Sequence, residues 1–297
     1  MKKTMTIFAA LMLGSALLFA DPGAATIDKA EFDKIVSSGV KASDEEIQAN
    51  KWASAVKEAG VLRVGGVRTS FLFSQFDETD NTIRGFDAGL WQLLANYILG
   101  DSSKFELTQV NSSTRESVLQ TGQVDCVFAT YSITPARQKL ISFAGPYYVS
   151  QQGILVKSNY KKISKVSDLA KKTVATQTGS TGPALLKEYA PKAKVQEFAT
   201  DQEARAALDQ GRVNAYVTDY TLLLSTIVKN PGVYKLAGDA FGPEDQYGIG
   251  VPLDSDAVEF INAFLKKIED DGTWAKLWKV SLGDRTGVKT VPKAPKL

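Results

Sequence analysis

Apolar positions along this chain switch between two periods. Short runs carry the two-residue repeat of a strand, and longer stretches carry the 3.6-residue repeat of a helix. Leu62-Arg63-Val64-Gly65-Gly66-Val67 predicts a strand. Residues 86–99 predict a helix, with Phe86, Leu90, Leu93, Leu94, Tyr97 and Ile98 on one face. Strands at 105–110 and 125–130 flank a short helix at 114–120 that Gly122 stops. This strand-helix alternation predicts a parallel sheet with helices on its faces.

The alternation restarts after Tyr148. Strands are predicted at 153–157, 173–176, 195–198, 213–218 and 247–251. Helices are predicted at 180–189, 200–210, 219–228 and 254–269, with a helical turn at 274–278. Two capping boxes mark helix starts: Ser43 with Glu46, opening a helix to about residue 58, and Thr200 with Glu203. Residues 26–42 mix charge with small side chains and read as a loosely packed leader, and the polar tail from 283 reads as frayed. Two blocks of the same alternation follow, with the leader and first helix at 26–59 and the tail at 283–297. Two such α/β blocks imply a cleft between them, where small ligands gather beyond the carboxyl ends of parallel strands.

The first 25 residues have another character. Lys2 and Lys3 precede an apolar run from Ile7 to Phe19, followed by small residues. That is the pattern of a cleavable export signal, cut after Ala20 or Ala25, and too short for a membrane anchor. The 297 residues, 44% hydrophobic and 23% charged, suit a globular protein of two domains. A net charge of +2 provides no basic field for nucleic acid or an anionic membrane. Cys126 is the only cysteine and sits among apolar neighbours, so it reads as buried and inert, with no disulfide and no lipid attachment after the signal. The absence of histidine removes Ser-His-Asp and Cys-His catalysis and makes a zinc site or other metal cofactor an unexpected feature. A monomeric periplasmic protein is the expectation.

Several motifs then carry a resemblance. They are Leu62-Arg63-Val64-Gly65, Gly85-Phe86-Asp87, Ser132-Ile133-Thr134-Pro135-Ala136-Arg137 with Phe143 and Pro146-Tyr147, and Gln177-Thr178-Gly179-Ser180-Thr181. Leu208-Asp209-Gln210-Gly211-Arg212-Val213-Asn214-Ala215 and Asp270-Asp271-Gly272-Thr273 complete the set. In this order and spacing they resemble the polar amino acid-binding proteins of ABC importers, over residues 60–280. The resemblance implies a two-lobed periplasmic binding protein fold, with a discontinuous first lobe at 60–152 plus 248–282, an inserted second lobe at 153–247, and hinge strands near 153–157 and 247–251. Ligand would bridge the lobes and shift the population toward a closed form.

It also implies roles for single residues. Arg137 would grip the ligand α-carboxylate with its guanidinium fork, with Thr130 and Ser132 adding contacts. Without the motif, Arg137 reads equally as a helix cap or a surface pair. Asp219 would hold the α-ammonium, or serve as a plain helix N-cap. Thr178, Ser180 and Thr181 lie at a strand-to-helix turn whose N–H groups favour a carboxylate. Arg115, in Asn111-Ser112-Ser113-Thr114-Arg115, and Arg68 match arginines of aspartate and glutamate binders, or else point to solvent. Three arginines against Asp219 leave a formal charge of +2, which favours glutamate or aspartate. Val67 and Ser70 stand where binders of cationic amino acids carry an acid and an aromatic ring, so Phe71 or Phe73 would have to supply any stacking ring. The alternatives are glutamine as ligand, a cyclohexadienyl dehydratase-like enzyme needing a carboxyl of raised pKa, and a sensory or adhesin role.

Overall fold

The computed structural model describes residues 26–297, so the export-signal reading of 1–25 lies outside the described residues. The first half of the chain holds helices α1 (Lys29–Ser37), α2 (Asp44–Gln48) and α3 (Lys51–Ala59), then strand β1 (Leu62–Gly66). A small antiparallel hairpin sheet of β2 (Thr69–Ser70), β3 (Ser74–Asp77) and β4 (Thr82–Arg84) follows. It leads into α4 (Phe86–Leu99), β5 (Phe105–Gln109), α5 (Arg115–Gln120), β6 (Cys126–Phe128) and the long β7 (Ser142–Lys157). The second half holds β8 (Thr173–Gln177), α6 (Gly182–Tyr189), β9 (Lys194–Phe198), α7 (Asp201–Asp209), β10 (Ala215–Asp219), α8 (Tyr220–Lys229) and β11 (Tyr234–Leu236). The chain then returns through β12 (Phe241–Val251) to α9 (Ala257–Asp270), α10 (Thr273–Trp278) and α11 (Asp284–Thr286).

Among the described residues the strands outside the hairpin join in the order β5-β1-β6-β12-β7-β10-β8-β9, with β11 on β7. The pairs β1–β5, β1–β6, β8–β9 and β8–β10 are parallel, as the strand-helix alternation predicts. β7 and β12 run antiparallel through the middle and join the two lobes. Side-chain alternation divides the second lobe's core: Ile154, Val156 and Val217 pack on one face and Leu155 and Tyr216 on the other. The first lobe's core gathers Phe86, Trp91, Tyr97, Ile249 and Phe264. Cys126 is fully buried on its central strand, and burial pushes its thiol well above the ordinary value.

Four expectations need correction. Residues 26–42 are not loose: Asp28 caps α1 by accepting from Glu31 N, and Phe32, Ile35 and Val36 are buried at helical spacing. The helix expected from 43 to 58 is two helices, because Asn50 ends the first and caps the second by accepting from Ala53 N. The tail is docked, with Arg285 buried over the Phe71 ring at 4.2 Å and Val288, Val291 and Ala294 against the core. Residues 153–157 and 247–251 do not themselves pass between lobes. Ile154 and Val156 belong to the second core and Ile249 and Val251 to the first, so the passage lies near 148–152 and 241–246.

Candidate ligand-binding cleft

The loop after β6 begins the site. Thr130 has φ 44°, a left-handed conformation uncommon outside glycine, and Asp87 holds it there. Asp87 Oδ2 accepts from Thr130 N at 2.9 Å and Oδ1 from Tyr147 OH at 2.8 Å. Burial pushes the Asp87 carboxyl up to about 7, against the pull of those two donors and of Arg115.

Two arginines converge on the Tyr131 ring that follows, their Cζ atoms 4.1 Å (Arg115) and 5.1 Å (Arg137) from its centroid. Arg115 is buried and donates from Nη1 to Ala129 O at 2.9 Å, while its Nε has no partner. Burial, and then the Arg137 charge, push Arg115 down to about 10, so it stays protonated at neutral pH. Arg137 donates from Nη1 to Ser132 O at 2.7 Å and from Nη2 across the cleft to Gly179 O at 2.9 Å. Its Nε lies 3.4 Å from Glu116 Oε1.

The second lobe meets these groups at the turn from β8 into α6. Gly179 has φ 74°, and a Cβ there would stand 2.7 Å from Ser112 O. Only glycine allows the lobes to approach so closely in that conformation. Ser113 Oγ donates to Thr178 O at 3.1 Å beside it. Ser180 serves the turn itself, donating to Gln177 O and accepting from Gly182 N. Thr181 Oγ1 donates to Asp245 Oδ2 at 3.3 Å and accepts from Gln152 Nε2 at 3.3 Å. Gln152 also donates to Asp219 Oδ1 at 2.7 Å, and Tyr247 OH to Asp219 Oδ2 at 2.5 Å. Asp219 stands at the N-cap position of α8 but makes no side-chain cap bond. Burial, and next the Asp245 charge, push its carboxyl up to about 7.

A cavity opens beside this seam, lined by Phe71, Arg115, Thr130, Asp201, Arg205 and Lys229 among others. Arg205 is paired with Asp201 at 2.7 Å, and burial and Arg205 lower the pKa of Lys229. Of the residues expected at the site, Arg115 and Thr130 line the cavity, and Ser132, Arg137, Thr178, Ser180, Thr181 and Asp219 lie along the seam. Arg68 does not join them. It is exposed, 5.6 Å over the Phe76 ring, and lines a separate hollow with Asp33 and Leu107. Its strand end carries it to the outer face, so the count of three converging arginines falls to two. Phe71 faces the cavity, whereas Phe73 is fully buried in the core. Gln152, Asp245 and Tyr247 went unread in the sequence because they sit on long strands whose crossing point periodicity does not mark.

Residues 62–283 match the model of the bacterial extracellular solute-binding proteins, family 3. The chain belongs to that family. It is 35% identical over 228 residues to the ABC transporter glutamine-binding protein GlnH of Bacillus subtilis, covering 76% of this chain and 82% of the relative. It is 32% identical over 220 residues to the glutamate-binding protein GluB of Corynebacterium efficiens, covering 70% and 74%. The crystal structure of a cysteine-binding protein from Campylobacter jejuni superposes with a TM-score of 0.75 at 26% identity, covering 81% of this chain and 96% of that one. The two-lobed fold of the family is thus the fold of this chain. Among the described residues, no helix is long and apolar enough to cross a membrane.

Proposed function

We propose that this family member is a periplasmic receptor that captures glutamate or aspartate and delivers it to the membrane permease of an ABC importer. One observation carries the choice of an acidic ligand. The cavity between the lobes is lined by Arg115, Arg205 and Lys229 against the single carboxylate of Asp201, which Arg205 already pairs. Arg115 is buried there and Lys229 is exposed at the rim. A second carboxylate on the ligand compensates the positive charge these two leave unpaired, whereas an uncharged side chain does not. In this reading Arg137 and the turn at Ser180 and Thr181 hold the α-carboxylate, with Thr130, Ser132 and Thr178 shaping the seam. Asp219 holds the ammonium, and Arg115 and Lys229 take the side-chain carboxylate. Groups from both lobes contact one molecule, so binding draws the lobes together.

A neutral polar amino acid such as glutamine is the second reading. Glu116 and Asp245 favour it, since Glu116 pairs with Arg137 and the charge of Asp245 acts on both Arg137 and Arg115, offsetting the cluster. Titration calorimetry of the monomeric mature protein with glutamate, aspartate and glutamine decides. Tighter binding of the acids, lost in Arg137→Ala and weakened more for glutamate than for glutamine in Arg115→Ala, supports the first reading. Arg68→Ala is expected to bind as the parent does. Equal weakening of both ligands by Arg115→Ala overturns it in favour of the second. Incubation with cyclohexadienyl acids tests the enzymatic alternative, for which Asp219 would be the proton donor, and aromatic product would overturn a pure receptor role.

A further inference from the structure

Asp219 is not alone at the base of the seam. The carboxyl of Asp245 is linked to it through a chain of side chains. Gln152 Nε2 donates to Asp219 Oδ1 at 2.7 Å and to Thr181 Oγ1 at 3.3 Å, and Thr181 Oγ1 donates to Asp245 Oδ2 at 3.3 Å. All three polar residues beside Thr181 are buried: Gln152 is 1% exposed, Asp219 7% and Asp245 9%. Two carboxylates withdrawn from water on one short hydrogen-bonded chain repel each other unless a cation or a proton lies between them. A third acceptor belongs to the same group. Gln152 Oε1 is buried and has no hydrogen-bond partner among the described residues. A primary ammonium has three N–H donors, and the structure gathers three acceptors for them.

We propose that Asp245 and Gln152 join Asp219 as a three-acceptor seat for the ligand ammonium, each taking one N–H. The inference rests on reading the cleft as an amino acid site, and it adds two residues to that site. Asp245 lies on β12 near the passage between the lobes, and faces Ser132 and Arg137 of the first lobe as well as Thr181 of the second. A cation seated there therefore ties the closing turn of one lobe to the loop of the other. Besides these, Arg115 acts on both carboxyls, Tyr247 OH donates to Asp219, and Glu116 screens Arg137. Burial raises both carboxyls. The pair therefore takes up a proton more readily than carboxylates in water do.

The test compares amino acids with partners that lack only the ammonium: L-glutamate with glutarate, and L-glutamine with glutaramate. Affinities are measured by calorimetry for the parent chain and Asp245→Asn, with Asp245→Ser as the substitute should the asparagine variant not fold. The parent is expected to prefer the amino acid, and the variant to lose that preference by about tenfold to a hundredfold, the range for a charge-assisted hydrogen bond. Binding of the ammonium-free partner should be no weaker in the variant, because a repulsive carboxylate has gone. Unchanged preference overturns the proposal, and so does equal weakening of both partners, which marks Asp245 as structural. A parent chain that binds neither amino acid overturns the reading of the cleft, and the seat with it.

Discussion

Asp87 shows how a residue that need not touch ligand sets the geometry of one that lines the cleft. Its two accepted hydrogen bonds fix Thr130 in a left-handed conformation, and burial raises its carboxyl to about 7. The sign of the resulting pH dependence follows from that direction. The folded state binds the Asp87 proton more tightly than the unfolded chain does, so folding releases none below pH 4 or so. The contribution to stability is full there and is lost as pH rises through about 7. The melting temperature of ligand-free protein is expected to fall between pH 5 and pH 8 more steeply in the parent than in Asp87→Asn. Parallel melting curves against pH would assign the dependence elsewhere. Asp87 was visible in the sequence only as part of a motif, since nothing local distinguishes a buried aspartate from a surface one.

At the scale of elements, periodicity revealed what was long and strongly patterned and missed what was short. The helix predicted at 86–99 is α4, residue for residue, although only one of its two faces was expected to be apolar and nearly all of it is buried. α1 has nine residues and three buried apolar ones, too few to stand out from a charged background, yet Phe32 enters the main core with no exposure. Phe32→Ala is expected to destabilise the protein by about 3–5 kcal/mol in urea denaturation, the usual result of emptying a filled aromatic site. A loss below about 1 kcal/mol would return residues 26–42 to the status of a loose leader. The hairpin β2–β4 was missed because its strands are two to four residues long. The site was legible to the extent that motifs lie in loops at strand ends, as for Arg115, Arg137 and Thr181. Asp245 and Gln152 lie inside β12 and β7, where their neighbours in sequence give no sign of the partner strand that buries them.

The whole molecule is two cores joined by two strands, with few but specific bonds across the cleft. Gln202 Nε2 reaches Thr69 Oγ1 at 2.5 Å, Leu72 N donates to Ser225 Oγ at 3.2 Å, and Arg137 reaches Gly179 O. The Gly179 turn meets the first lobe at Ser112, Ser113 and Arg137. Gly179→Ala is expected to weaken ligand binding at least tenfold, because its Cβ meets Ser112 O of the first lobe. The left-handed backbone at 179 adds about 1–2 kcal/mol of strain to the folded second lobe and lowers its thermal stability with or without ligand. The first lobe should change little, and unaltered affinity would show that closure does not pass through this contact. Following such closure directly calls for reporters on both lobes, and here the chain's single thiol matters. Because Cys126 is sealed inside the first lobe's sheet and burial disfavours its thiolate, it is expected to be silent toward maleimide dyes. Engineered cysteines at two exposed positions, one per lobe, would then be the sole labelling points, and the wild-type chain is already its own background for single-molecule distance measurements.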